Sequence, residues 1–452
     1  MIDFSQIDKF SWKYDMLNRY LRFNHNHAYY KEFRIVNQEN IPPQGVPAFM
    51  IANHQNGLTD ALTLLYIYPD NRQPVFIARG DIFKKDSVAK LLRFLKILPT
   101  FRTRDGERKD VRNNNQVFDL AASILNRGKT LAMFPEASHQ AGHYLSDFKK
   151  GFPRIALTAE EQANYQLGLK IVPVNIHYKC YFYFRTRLVL TIGEPFQVPA
   201  DILELHKTEP NLAYLKLNEV AREKLKAITI DEGVEYYTEY DQIREILHTP
   251  RLIAKGKNPK DLYEEKEEDI KIVEELHQLR EQDESRFLNL METAKEYTAG
   301  LQELKLRNWL INKKVSLCSL FGKALLLLLT FPFYLFGLIN NGLPFHFPDI
   351  LKKKIKDRQL HSSMNFAPAV LLTFPLMYII LLTVVWIVSG KFWIAFIYLL
   401  MAFFSLFIYN AYRIAFVKWR GACRYYSLSK KKNTSLTRLS EIKRNLITNG
   451  IK

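Results

Sequence analysis

The chain has 452 residues, more than one ordinary domain holds, and sets 64 basic against 46 acidic side chains for a net charge of +18. That balance suits an anionic lipid surface, nucleic acid or a phosphorylated substrate. Cys180, Cys318 and Cys423 stand far apart and support neither a disulfide framework nor a metal knuckle, so a reducing compartment fits.

Residues 1–34 are aromatic and basic, with Phe10, Trp12, Tyr14, Leu17, Tyr20, Leu21 and Phe23 among Lys13, Arg19 and Arg22. They suggest an amphipathic helix, either at a bilayer interface or packed on the adjoining domain. The first apolar cluster is short and broken by charges, so no cleavable signal is expected. Residues 35–200 alternate apolar runs with helical stretches. Strands are expected at Ala48–Ala52, Val75–Ala78, Thr130–Phe134, Lys170–Ile176 and Leu188–Ile192. Helices are expected at Asp60–Tyr68, Ser87–Leu95, Val111–Asn126 and Phe152–Gln166. This order implies an α/β domain whose mostly parallel sheet is flanked by helices. Pro173 inside one run points to an edge strand or a strand end.

Residues 201–315 are rich in charge, and Ile270, Val273, Leu276 and Leu279 mark one helical face. They are expected to be helical and mostly solvated, packed on the preceding domain or on a partner. C-terminal transmembrane helices are expected next. Phe366–Val388 and Phe392–Tyr412 each reach the roughly 20 residues that a span needs, and together make a hairpin over 366–412. The shorter apolar stretch Ala324–Ile339, within 316–345, reaches only about 24 Å against a core of about 30 Å. Its basic flanks favour a re-entrant or interfacial segment. A full span would have to start at Leu317 and carry Lys323. The tail, 413–452, is basic, so both hairpin ends are expected at the cytoplasmic face.

Three stretches carry chemistry. In Ile51-Ala-Asn-His-Gln-Asn-Gly-Leu-Thr-Asp60 a histidine and an aspartate follow a buried strand. His54 can take a proton from a hydroxyl and Asp60 can orient it, although the two residue types alone equally fit a structural pair. In Ile97-Leu-Pro-Thr-Phe-Arg-Thr-Arg104 two arginines at i and i+2 suit phosphate binding or a solvated loop. In Leu131-Ala-Met-Phe-Pro-Glu-Ala-Ser138 the strand ends by presenting Glu136 where α/β sheets bind ligands, or where a helix starts. Phe148-Lys-Lys-Gly-Phe-Pro-Arg154 adds a basic approach.

Together these blocks resemble the glycerolipid acyltransferase family, which includes glycerol-3-phosphate and 1-acylglycerol-3-phosphate acyltransferases. Asn53, His54 and Asp60 resemble the first block, Ile97–Arg102 the second, Phe134-Pro135-Glu136 the third and Ile171-Val172-Pro173-Val174 the fourth. The resemblance covers roughly residues 30–200, and the C-terminal membrane region looks like that of an extended subset. It departs at two points. Five residues, Gln55 to Thr59, separate the histidine and aspartate where the family has four. Ala137 stands where the family has glycine.

The resemblance implies acyl transfer from an acyl thioester, either acyl-CoA or acyl carrier protein, to a hydroxyl of glycerol 3-phosphate or 1-acylglycerol 3-phosphate in phospholipid biosynthesis. His54 would be the base and Asp60 its orienter. Asn53, Arg102, Arg104, Phe134, Pro135, Glu136, Ser138, Lys149 and Lys150 would bind substrate, with Arg102 on the phosphate and Glu136 on acceptor hydroxyls. No metal and no cofactor is implied. Membrane lipids are the other expected partner. An integral membrane protein whose catalytic domain faces the cytoplasm follows. Ala137 and the longer gap leave dihydroxyacetone phosphate, another lysolipid or another lipid acceptor open. A non-catalytic membrane adaptor is the reading from a different class. Nucleic-acid binding rests on net charge alone and lacks a recognition motif.

Overall fold

The computed structural model describes residues 4–100, 108–139, 142–180, 182–356 and 360–449. The chain divides into two compact units, Met1–Asp231 and Glu232–Lys452.

The first unit opens with helix α1 (Trp12–Phe23), capped by the Ser11 hydroxyl accepting from the Tyr14 N–H. Seven strands follow: β1 (Glu32–Val36), β2 (Ala48–Ala52), β3 (Val75–Arg79), β4 (Ile97–Thr100), β5 (Thr130–Met133), β6 (Lys170–Tyr178) and β7 (Arg187–Ile192). Between them run α2 (Gly57–Leu65), α3 (Asp86–Phe94), α4 (Arg108–Asn126) and α5 (Gly151–Gln162). Then come α6 (Ala200–Thr208) and α7 (Pro210–Lys226). The sheet order is β1-β7-β6-β2-β5-β3-β4, and only the β6–β7 pair is antiparallel.

All five residues of β2 are buried, as an unalternating apolar run requires in a parallel sheet covered on both faces. Phe49 and Ile51 project from one face into a core with Leu131 and Ile171, under Phe118 and Ala122 of α4 and Phe152 and Ala156 of α5. Ala213, Leu217 and Ala221 of α7 join that core, so helices beyond residue 200 pack with the sheet rather than in a separate charged region. Helix α4 stops at Gly128, whose φ is +68° and whose N–H returns to the Leu125 carbonyl.

Pro173 corrects the expectation of an edge, because β6 lies between β2 and β7. Its carbonyl accepts from the Gly193 N–H at 2.8 Å, just past the last β7 residue. The missing N–H therefore falls where the β7 ladder has already ended and breaks no bond. Two strands absent from the expected set, β1 and β4, form the sheet's two edges.

In the second unit α8 (Tyr237–Ala254), α9 (Leu262–Gln282), α10 (Glu284–Glu303) and α15 (Thr434–Asn449) pack together. The charge run is less solvated than expected: Glu265, Lys266, Glu268 and Asp269 are buried. Arg244 holds Glu232 and Asp269, each at 2.7 Å, so buried charges are paired across α8 and α9.

The apolar remainder forms α11 (Leu317–Lys352), α12 (Leu360–Pro368), α13 (Phe374–Ser389) and α14 (Phe392–Lys430). Three helical stretches, Leu317–Lys352, Ser363–Ser389 and Phe392–Lys430, are long and apolar enough to cross a membrane. Where the sequence suggests a 16-residue segment, the structure has one helix of 36 residues that carries Lys323 and accommodates Pro332, Pro344 and Pro348.

Candidate active site

The site forms where β2 and β5 end side by side. Their parallel register aligns Ile51 with Met133, so the residues after each strand emerge at the same sheet edge. β6, on the other flank of β2, aligns Val174 with Ala52 and runs four residues further, to Tyr178. Three carboxyl ends of parallel strands thus converge, the usual place for ligands in an open α/β sheet.

Asn53 is the first residue beyond β2. Its amide donates to the Ile176 carbonyl at 3.0 Å, and its side-chain oxygen accepts from the Ile176 N–H at 2.7 Å. Both ends of the side chain extend the β2–β6 ladder. Asn53, expected among the substrate ligands, is buried and fixes the strand end from which His54 projects.

His54 Nδ1 lies 2.9 Å from Asp60 Oδ2. A carboxylate only accepts, so Nδ1 carries the proton and Nε2 presents a lone pair. No described residue takes Nε2 in a hydrogen bond. The His54 side chain is 15% exposed and that of Asp60 is 0% exposed. Phe134 stacks on the imidazole, with ring centroids 4.2 Å apart and planes 12° from parallel. His139 stands edge-on at 5.4 Å.

The extra residue between His54 and Asp60 is absorbed at the helix start. Asn56 adopts φ −136° and ψ 43°, Gly57 adopts φ +44°, and α2 begins there. This turn folds Asp60 back beneath the loop. Its Oδ2 accepts from the N–H groups of Gln55 and Asn56, each at 2.7 Å, in addition to His54. Its Oδ1 accepts from the Tyr178 hydroxyl at 2.7 Å. Asp60 therefore accepts from four donors at the N-terminal end of α2.

Glu136, expected at the acceptor hydroxyls, is engaged by the backbone at both carboxylate oxygens. One carboxylate oxygen accepts from the His54 N–H at 3.0 Å and the other from the Ser146 N–H at 2.9 Å. The residue is 1% exposed. It braces the backbone at His54 against the segment at Ser146. Burial pushes its carboxyl up to about 7, against the two backbone donors that favour the ionised form.

Pro135 is buried, and its carbonyl accepts from the Lys149 N–H at 2.9 Å. Ala137 takes φ +57°, the left-handed conformation that glycine adopts without strain. Ser138 is exposed, as are Lys149 and Lys150, which lead into α5. The structure thus brings together His54, Asp60, Phe134 and Glu136 and leaves the lysines solvated nearby in the chain. Arg102 and Arg104 lie outside the described residues. Strand β4, which precedes them, ends at the same sheet edge as β2 because the strands between are parallel.

Two participants were missed from sequence. Tyr178 is far from Asp60 in the chain, and the only signal is a tyrosine shortly after the Val172-Pro173-Val174 strand. Gln55 donates from its side chain to the Gly142 carbonyl at 2.9 Å and ties the histidine loop to the segment after Glu136.

Residues 32–177 match the family model described as Acyltransferase. This domain, about a third of the chain, is what the chain shares with acyltransferases. Over 150 residues this chain is 25% identical to the chloroplastic 1-acyl-sn-glycerol-3-phosphate acyltransferase LPAT1 of Arabidopsis thaliana. The match covers 33% of this chain and 37% of that protein, little more than a third of the relative's length. Among solved structures, it is similar to the 1-acyl-sn-glycerophosphate acyltransferase PlsC of Thermotoga maritima. That similarity has 22% identity and a TM-score of 0.32, over 47% of this chain and 80% of the other.

Proposed function

We propose that this acyltransferase moves a fatty acyl group from an acyl thioester to a hydroxyl of 1-acylglycerol 3-phosphate or glycerol 3-phosphate, at the cytoplasmic face of a membrane. The observation that carries the proposal is the His54–Asp60 pair, with Nδ1 committed to a buried carboxylate and the imidazole still partly exposed. His54 Nε2 accepts the acceptor's hydroxyl proton as the oxygen attacks the thioester carbonyl carbon. The tetrahedral intermediate collapses, the C–S bond breaks, and the thiolate leaves with the proton held by the imidazolium. An ester and a free thiol result. Phe134 fixes the ring plane and Asp60 stabilises the imidazolium. Arg102, Arg104, Lys149 and Lys150 supply the positive charge for the acceptor phosphate. The candidate spans keep the enzyme beside a product that resides in the bilayer.

A second reading, a different lipid acceptor such as dihydroxyacetone phosphate or another lysolipid, is favoured by Ala137. Its methyl group adds bulk at a left-handed turn directly after Glu136.

The test is donor–acceptor profiling of the purified protein in detergent, pairing acyl-CoA or acyl carrier protein with each acceptor. Thiol release and the acylated product are followed by mass spectrometry. Lysophosphatidate or glycerol 3-phosphate should be acylated, and His54→Ala should abolish turnover while leaving thermal unfolding unchanged. Thiol release unaffected by His54→Ala would overturn the mechanism. Acylation of another acceptor alone would establish the second reading.

A further inference from the structure

We propose that Tyr178 is a positioning residue of the acyl-transfer site, holding the Asp60 carboxylate in the orientation that presents Oδ2 to His54. The proposal rests on the acyl-transfer reading above.

The Tyr178 hydroxyl donates to Asp60 Oδ1 at 2.7 Å, while His54, Gln55 and Asn56 occupy Oδ2. A carboxylate gripped at one oxygen can still rotate about its Cβ–Cγ bond. Gripped at both, it presents Oδ2 to the imidazole in one orientation. Tyr178 is fully buried, and burial together with the Asp60 charge holds its hydroxyl well above the usual range, so it stays protonated and remains a donor. Behind it, Thr63 Oγ1 lies 3.4 Å from the phenol oxygen and 3.1 Å from His25 Nε2. Asn26 takes His25 Nδ1 at 2.7 Å. With Nδ1 the donor to Asn26, Nε2 accepts the threonine proton, and the phenol proton is left to point at Asp60.

The phenol also draws negative charge away from the carboxylate face shared with His54. Removing the phenol hydroxyl returns that negative charge to the face shared with His54. The titratable groups facing Asp60 are His54, Tyr178, Tyr30 and Glu136. His139 faces His54, and His25 lies behind Thr63.

The experiment compares the full-length wild type with Tyr178→Phe, using Tyr68→Phe as a control that also removes a buried hydroxyl, one without a bond to Asp60. Tyr178→Phe should lower kcat roughly tenfold with KM within about twofold. It should also move the acid limb of the pH–rate profile up by about half a unit. Tyr68→Phe should leave the limb in place. The histidine NMR titration of the resting enzyme reads the same displacement without turnover. An unmoved limb and an unmoved NMR titration in a folded Tyr178→Phe would overturn the proposal, whatever the loss of kcat. If the wild type consumes no thioester, the acyl-transfer reading fails, and the NMR titration still decides whether Tyr178 acts on His54.

Discussion

Glu136 is the residue whose ionisation couples most directly to the shape of the site. Its carboxyl stands at about 7 in the folded protein against an ordinary value of 4.5, so between those values the folded state holds the extra proton. Stability supplied by that proton is complete below about pH 4.5, falls as pH rises through 7, and is flat above. Glu136→Gln should abolish this slope, read from urea midpoints between pH 4.5 and 8. The amide offers one acceptor where two backbone N–H groups need one each, so the variant should also lose about 1–3 kcal/mol at pH 5. An unchanged slope would show that another group titrates. Beside it, Ala137 at φ +57° stores strain that glycine does not. Ala137→Gly should gain about 0.5–1 kcal/mol, measured in the same way, and a loss would mean that the methyl contributes packing. The pairing of His54 with Asp60 was legible at this scale because both residues stand beside one strand end. The role of Glu136 was only half legible. Its type and its place after β5 were readable, but Ser146 takes its second oxygen through a loop that no periodicity announces. Tyr178 was not legible, because β6 must first be laid beside β2 before its last residue can meet Asp60.

Elements buried on both faces were the readable ones. β2, β3, β5, β6 and β7 are apolar runs, and each is expected within one or two residues of its observed bounds. β1 and β4 are not legible as strands, for physical reasons. β1 is only partly buried, pairs with β7 alone, and reads as Glu-Phe-Arg-Ile-Val. β4 is four residues long and contains Pro99, which an edge strand tolerates. The α4–β5 turn makes a sharper test of element geometry. A Cβ built on Gly128 would clash with the Gly45 carbonyl oxygen, a contact between two backbones with no flexible side chain to yield. The positive φ adds strain for any L-residue. Gly128→Ala should therefore cost about 2 kcal/mol or more, seen as a lowered thermal midpoint. An unchanged midpoint would mean that the 45–48 approach to β2 shifts freely.

At the scale of the membrane region, the course of α11 decides the topology. Its partners on α14 can be followed along the chain. Leu320 accepts from the Trp419 indole, Tyr334 stacks near Tyr412 and Tyr409, and Asn341 donates to the Ala402 carbonyl and Ser405 hydroxyl. Asn340 accepts from the Tyr398 hydroxyl. To that point the two helices run antiparallel. The order then reverses: Phe345 and His346 meet Tyr409, and Arg413 lies over the Phe345 ring. On a straight helix residues 334 and 345 would be about 16 Å apart along the axis, yet both reach Tyr409. The chain therefore turns back near Gly342 and Pro344, the residue types at which helices bend. Tyr378 donates to Asn341 and braces this tip from α13. A helix that enters beside residue 419 and returns beside residue 413 leaves Lys313, Lys314 and the Lys352–Lys354 cluster at the basic end of α14. One basic side then serves all these flanks, as the distribution of lysine and arginine around membrane segments demands. Length and composition alone allow α11 to cross. The partner order is the one expected of a re-entrant α11 beside a spanning α13–α14 hairpin. Single cysteines placed at Lys314, Lys353, Lys431 and Lys391, in a chain with its native cysteines replaced, separate the two arrangements in sealed vesicles. An impermeant maleimide should reach the first three from one side and Lys391→Cys only from the other. Labelling of Lys314→Cys and Lys353→Cys from opposite sides would make α11 a true span.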